Sequence, residues 1–282
     1  MDGDAQWTAL TARLGLRCHD NGGSGHNPVV TFGTTGPVSA FALPAVGGTV
    51  HEYASLARVL DGICRVCGLE AAGLHHGAAP MTSLSALVHR NVELARRAQP
   101  EGPYRLIGWS AGGVLAYETA RRLEAQGAEV AMVALIDSPC RTGRGRPDPV
   151  DDLAARFVGE VLRGLGQAPQ TLPGLSAAQQ LTLLAGRLAG NPGRADAVLA
   201  YLERWYAAFV AHGTALAGYR ADGILGAGAV LVSAHGSQDW APYWRARFRG
   251  GVREIATTAG SYGCLHSPAV MTAGAAIREM LS

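Results

Sequence analysis

Three consecutive runs, "YRLIGWS", "GGVLAYETARRLEAQG" and "EVAMVALID", constrain this chain more than any other part of it. The first and third are apolar enough to be strands. The third is almost unbroken, as a parallel strand covered on both faces requires. The middle run has helical spacing and is closed by Gly127, a residue suited to a helix C-terminal stop. The same rhythm starts earlier: "PVSAFALP" reads as a strand, "AVGG" as a turn, and "TVHEYASLARVL" as a helix with Tyr53, Leu56, Ala57 and Leu60 at helical spacing. "MTSLSALVHRNVELARRAQ" supplies a further helix. Alternation of this kind predicts an α/β fold around a mostly parallel sheet.

From Ser138 to about Ile224 the rhythm breaks into helices only, with "DDLAARFVGEVLRGLG", "SAAQQLTLLAGRLAG" and "ADAVLAYLERWYAAFVAHGTAL" in succession. Strands resume with "AVLVSAHG" and "VREIATTAG". "SPAVMTAGAAIREML" closes the chain as a helix, with Ser267 read as its N-cap and Pro268 in its first turn. The expected organisation is an N-terminal helix and linker over 1–27, then an α/β domain over 28–282 with a helical lid insertion at about 141–222. The glycine-rich stretch and the short strand "VVTF" ahead of "PVSAFALP" read as an entry from something upstream.

Composition narrows the function classes. All 24 basic residues are arginine and balance 22 acidic ones without long blocks, so no basic footprint for nucleic acid or a membrane surface stands out. The lack of lysine excludes a Schiff-base mechanism and a phosphate-binding P-loop, both of which need that side chain. No long apolar run follows a basic start, so an intracellular, cytoplasmic protein without a membrane span is expected. Five dispersed cysteines suit reduced thiols. Cys64 and Cys67 spell C-x-x-C, but in a short buried strand residues three apart face opposite ways. No second pair completes a zinc site, so no metal is expected.

Gly108-Trp109-Ser110-Ala111-Gly112 matches G-x-S-x-G at a strand-to-helix junction, where the pattern has mechanical meaning. The turn lifts the serine hydroxyl above the sheet, and the glycines let strand and helix approach. A serine nucleophile needs a base, and the base needs an orienting acid. His266, in the loop after the last strand, is the one histidine in the expected place. His51, His75, His76, His89, His212 and His235 read as structural or solvent-exposed. For the acid, Asp137 ends the "EVAMVALID" strand at the edge where active-site loops gather. Asp239, in the polar loop after the next strand, is the competing position. An oxyanion needs two backbone N–H donors: Ala111 supplies one, and the "LPAVGG" turn offers Val46 or Ala45, of which Val46 is favoured by the glycines that follow it.

Several segments resemble one family, the thioesterase domains that release products from modular polyketide and nonribosomal peptide synthases. "FALPAVGG" looks like the family's early strand and oxyanion turn. "EGPYRLIGWSAGGVLAYETARRLEAQGAEVAMVALIDSP" is the more specific match, and the similarity runs over roughly residues 28–281. It implies an α/β-hydrolase fold with Ser110 as nucleophile, Asp137 as acid, His266 as base and Ala111 and Val46 as oxyanion donors. It also implies a partner, an acyl or peptidyl carrier protein presenting the acyl or peptidyl thioester on phosphopantetheine, and no bound cofactor. One departure is visible: the family's Gly-Asp-His-Phe-like run is "GCLHSP" here. The resemblance further implies a terminal chain-releasing domain of a larger synthase. A free-standing editing thioesterase, a generic serine esterase of the same fold and a non-catalytic carrier-docking module are the competing readings. Trp205, Tyr206 and Phe209 fall within two helical turns and are candidates for walling an acyl channel.

Overall fold

The computed structural model describes residues 27–281 apart from 34, 76, 141–149, 169–173 and 238–239, with only the backbone described at 150–152. Asp239, His76, Cys18, the expected N-terminal helix and the start of the helical insertion lie outside the described residues. Seven strands form one sheet: β1 (Val29–Phe32), β2 (Val38–Leu43), β3 (Cys64–Leu69), β4 (Tyr104–Trp109), β5 (Val130–Ile136), β6 (Gly228–Ser233) and β7 (Val252–Ala256). Their spatial order is β1-β3-β2-β4-β5-β6-β7, with β1 antiparallel to β3 and every other neighbouring pair parallel. The long apolar runs therefore lie in the middle of the sheet. The expected fold class holds.

Helices cover both faces. On one side α2 (Leu84–Ala98) and α3 (Ala111–Ala125) pack with the short α7 (Ala241–Arg245); on the other lie α1 (Ala54–Val59) and α8 (Ala269–Glu279). β5 shows why its sequence is apolar throughout. Val133 and Leu135 enter the first core, while Met132, Ala134 and Ile136 enter the second. β3 sorts Cys67 and Cys64 between the two cores in the same way, and both thiols are free.

Between β5 and β6 run α4 (Val150–Gly164), α5 (Ala177–Ala189) and α6 (Ala195–Leu216). They share a third core, including Phe157, Leu184, Trp205 and Phe209, that reaches Ala71 and Leu74 beyond β3. α5 starts with a reciprocal capping box between Ser176 and Gln179. No described helix is long and apolar enough to cross a membrane.

Two local expectations shift. "TVHEYASLARVL" divides into a 3₁₀ turn, His51–Tyr53, and the short α1, while Tyr53, Leu56 and Leu60 stay buried as the spacing required. The last helix takes Pro268, not Ser267, as its N-cap, with no side-chain cap. The Val270 N–H instead bonds the His266 carbonyl, a backbone bond that satisfies a donor the serine was expected to take.

Candidate active site

Ser110 stands between β4 and α3 with φ 53° and ψ −127°, in a region that side chains rarely occupy. Such strain costs roughly 1–3 kcal/mol and persists only where the surroundings enforce it. Here they do. A Cβ on Gly108 would sit on the Gly112 carbonyl oxygen, one on Gly112 on the Leu43 oxygen, and one on Gly113 on the Ser138 hydroxyl. Each glycine of G-x-S-x-G-G is thus fixed by a different neighbour.

The next strand repeats the manoeuvre. Trp109 and Ile136 are register partners, and the Ser110 N–H bonds the Ile136 oxygen at 2.9 Å. Asp137 then leaves β5 at φ 44°, with its N–H on the Val232 oxygen at 2.6 Å. Serine and aspartate therefore emerge side by side at the carboxyl edge of the two central strands.

Two aromatic side chains tie the elbow to its surroundings. The Tyr53 hydroxyl donates to the Leu43 carbonyl at 2.6 Å and accepts from the Trp109 N–H at 2.7 Å, joining β2 to the strand that carries the serine. Burial pushes its phenol pKa far above the usual range, so the bridge keeps its proton. Trp109 Nε1 donates to the Ser261 carbonyl at 3.1 Å, and its ring meets Tyr262 edge-on at 5.0 Å. Ser261–Leu265 is a 3₁₀ turn leading directly to His266. The sequence pattern carries neither link: helical spacing assigns Tyr53 only to a core face, and the segment before His266 reads as loop.

Ser110, His266 and Val46 line one cavity of about 870 Å³, whereas Asp137 does not line it. Among the described residues no hydrogen bond joins the three side chains of Ser110, His266 and Asp137. His266 is exposed, and Asp137 borders a small recess with Ser138, Trp240 and Trp244. The aspartate still reaches the histidine turn: the buried Cys264 thiol is pushed up by burial first and, in part, by the nearby Asp137 charge. Ala111 begins α3, so its N–H is one of the donors that no helical carbonyl can take. Neither it nor the Val46 N–H has a hydrogen-bond partner among the described residues. The turn carrying Val46 is closed by a Gly48 N–H to Ala45 oxygen bond of 2.9 Å.

Phe157, Trp205 and Phe209 form the aromatic side of the cavity, with Phe157 edge-on to Trp205 at 5.2 Å and to Phe209 at 5.6 Å. Two of the three candidate channel aromatics therefore face it. Tyr206 meets Phe157 in a tilted contact at 5.4 Å and is not part of the lining. A polar end consists of His51, Glu52, Arg58, Glu160 and Arg163. Burial raises the Glu160 carboxyl pKa despite an Arg163 contact at 3.0 Å. His51 Nδ1 and Glu52 Oε2 are buried without a hydrogen-bond partner. The sequence reads His51 as structural or solvent-exposed; the signal for more lies in its position, three residues past the "VGG" turn.

The model of the thioesterase domain family matches residues 40–189. The chain belongs to the thioesterase domain family. A non-reducing polyketide synthase of Cladonia metacorallifera, crz7, is 37% identical over 131 residues, which is 46% of this chain and 6% of the synthase. Malpinin synthetase of Mortierella alpina is 35% identical over 125 residues, 44% of this chain and 2% of that protein. The chain thus spans a small fraction of the length of these relatives. Among solved structures, the wild-type Vlm2 thioesterase domain superposes with a TM-score of 0.66 at 22% identity, covering 90% of this chain and 95% of that one. The thioesterase family is one of serine-hydrolase-type enzymes on the α/β-hydrolase fold.

Proposed function

We propose that this thioesterase domain releases an acyl or peptidyl chain held as a thioester on the phosphopantetheine arm of a carrier protein. The observation that carries this reading is the shared cavity: a strained elbow serine, a histidine and the turn residue Val46, whose N–H has no partner among the described residues, line one aromatic-walled chamber.

In the proposed cycle His266 takes the Ser110 proton as Oγ attacks the thioester carbonyl. Asp137 supports the resulting imidazolium. The N–H groups of Ala111 and Val46 hold the oxyanion, a contribution of about 3 kcal/mol per donor. The intermediate collapses by breaking the C–S bond, and the leaving thiolate takes the proton back from His266. Water, or a hydroxyl or amine within the chain itself, then attacks the Ser110 ester with the same base. The triad closes on substrate binding, His266 swinging from its exposed position towards Asp137, since catalytic hydrogen bonds commonly tighten only in the substrate complex. α4, α5 and α6 act as the lid over the acyl chain.

The test is turnover of acyl N-acetylcysteamine thioesters. Release of free thiol by the wild-type domain, reduced at least ~1000-fold in Ser110→Ala, is the expected result. An unchanged rate in that variant overturns the nucleophile assignment.

A further inference from the structure

The residues of α6 that face the rest of the molecule do more than wall the chamber. Trp205, Ala208, Phe209 and His212 stand at i, i+3, i+4 and i+7, and so form one stripe. Trp205 Nε1 donates to the Gly47 carbonyl oxygen at 2.7 Å. Ala208 faces Gly48, where an added Cβ would lie 3.8 Å from its own. His212 is buried against the Ala45 carbonyl region, neither ring nitrogen completing a hydrogen bond. Three side chains of one helix thus address the four-residue turn Ala45–Gly48, whose second residue offers the Val46 N–H.

Outside α6 the turn is held at its Gly48 end, where the Ala71 N–H donates to the Gly48 carbonyl at 2.9 Å. Its one internal bond runs from Gly48 N–H to Ala45 oxygen, and two of its residues are glycines, which move between backbone conformations at small cost. The indole bond fixes the direction of the Gly47 carbonyl and with it the orientation of the neighbouring peptides. The geometry points to Trp205 as a positioning residue of the oxyanion hole: the lid helix sets the Val46 N–H, so the hole is complete only while α6 is docked on the turn. The inference rests on the acyl-transfer reading above and deepens it, because transfer to Ser110 is then coupled to a closed chamber.

The experiment uses acetyl N-acetylcysteamine thioester, whose two-carbon acyl group is too short to fill an aromatic chamber. It compares the wild type, Trp205→Phe and a chain with 3-benzothienylalanine at position 205, the same bicycle with sulfur in place of N–H. The second variant keeps the wall and the packing intact should phenylalanine fail to fold. Complete loss of an oxyanion donor costs roughly 100–1000-fold, so misalignment of the Val46 N–H should lower kcat on the order of 10–100-fold with KM within about twofold, and weaken a boronic acid inhibitor of Ser110 by a similar factor. A wall residue behaves differently: KM rises for long acyl chains and kcat for the acetyl substrate stays put. Folded variants with wild-type kcat on the acetyl substrate overturn the positioning role alone, provided Ser110→Ala is inactive beside an active wild type. If Ser110→Ala matches the wild type, the acyl-transfer reading falls and this inference with it.

Discussion

Replacing Tyr53 with phenylalanine removes one oxygen atom from the interior and tests how the elbow is held. The ring remains fully buried among the same neighbours, so packing is preserved. What is lost is the partner of two main-chain groups, the Leu43 carbonyl at 2.6 Å and the Trp109 N–H at 2.7 Å. Both are then buried without a hydrogen bond, each costing about 1–3 kcal/mol. Partial relaxation of the two strands towards each other puts the sum at roughly 2–4 kcal/mol. For a chain of this length that corresponds to a melting point lower by about 4–8 °C. Scanning calorimetry or chemical unfolding of Y53F against wild type reads the number directly. Activity should fall as well, because Trp109 precedes the proposed nucleophile and Leu43 leads into the proposed oxyanion turn. A Y53F protein melting within 1 °C of wild type, about the scatter of such scans, refutes the bridge as a structural tie.

Three further outcomes follow from the same geometry. Gly113→Ala drives a methyl group into Ser138, which itself bonds the Gly108 and Ile136 carbonyls, and should destabilise by about 1–3 kcal/mol; a double-mutant cycle with Ser138→Gly should recover most of it. Asp137→Asn keeps the fold, since asparagine tolerates φ 44°, but should lower kcat by at least ~100-fold, with a smaller loss for Asp239→Asn in steady-state assays. Burial, with the Arg90 charge a lesser contribution, drops the His212 pKa to about 4. The unfolded chain therefore takes up a proton near pH 6.5 that the folded chain refuses, and stability is lost as pH falls from 6.5 towards 4. The loss is about 2–3 kcal/mol at pH 4.5, and urea unfolding at pH 7 and 4.5 should find it absent in His212→Phe.

The central βα rhythm was legible because strands buried on both faces leave no polar alternation to confuse them, as in Val130–Ile136. The elbow was legible for a related reason: Gly108, Gly112 and Gly113 each meet a different backbone or hydroxyl neighbour, so the motif records contacts. Ties between distant segments were not. Tyr53 sits at helical spacing like any core residue, and its two partners lie 10 and 56 positions away. Trp205 and Gly47 are 158 positions apart, and an indole in an aromatic stripe carries no sign that its N–H has a carbonyl to meet. Strand ends placed Asp137 and His266 near one edge of the sheet, but spacing says nothing of rotamers. The distance left between aspartate and imidazole was therefore invisible in the sequence. Ser267 failed as a cap for a local reason, since the His266 carbonyl already takes the Val270 N–H.

The central claim is that Ser110 carries the chain. Intact-protein mass spectrometry after brief mixing with a long-chain acyl N-acetylcysteamine thioester tests it most directly. The account predicts a single adduct of the acyl mass, mapped by peptide digestion to Ser110, absent from Ser110→Ala and forming far more slowly in His266→Ala, because the same base activates the serine. An adduct on another residue, or thiol release at the wild-type rate by Ser110→Ala, contradicts it.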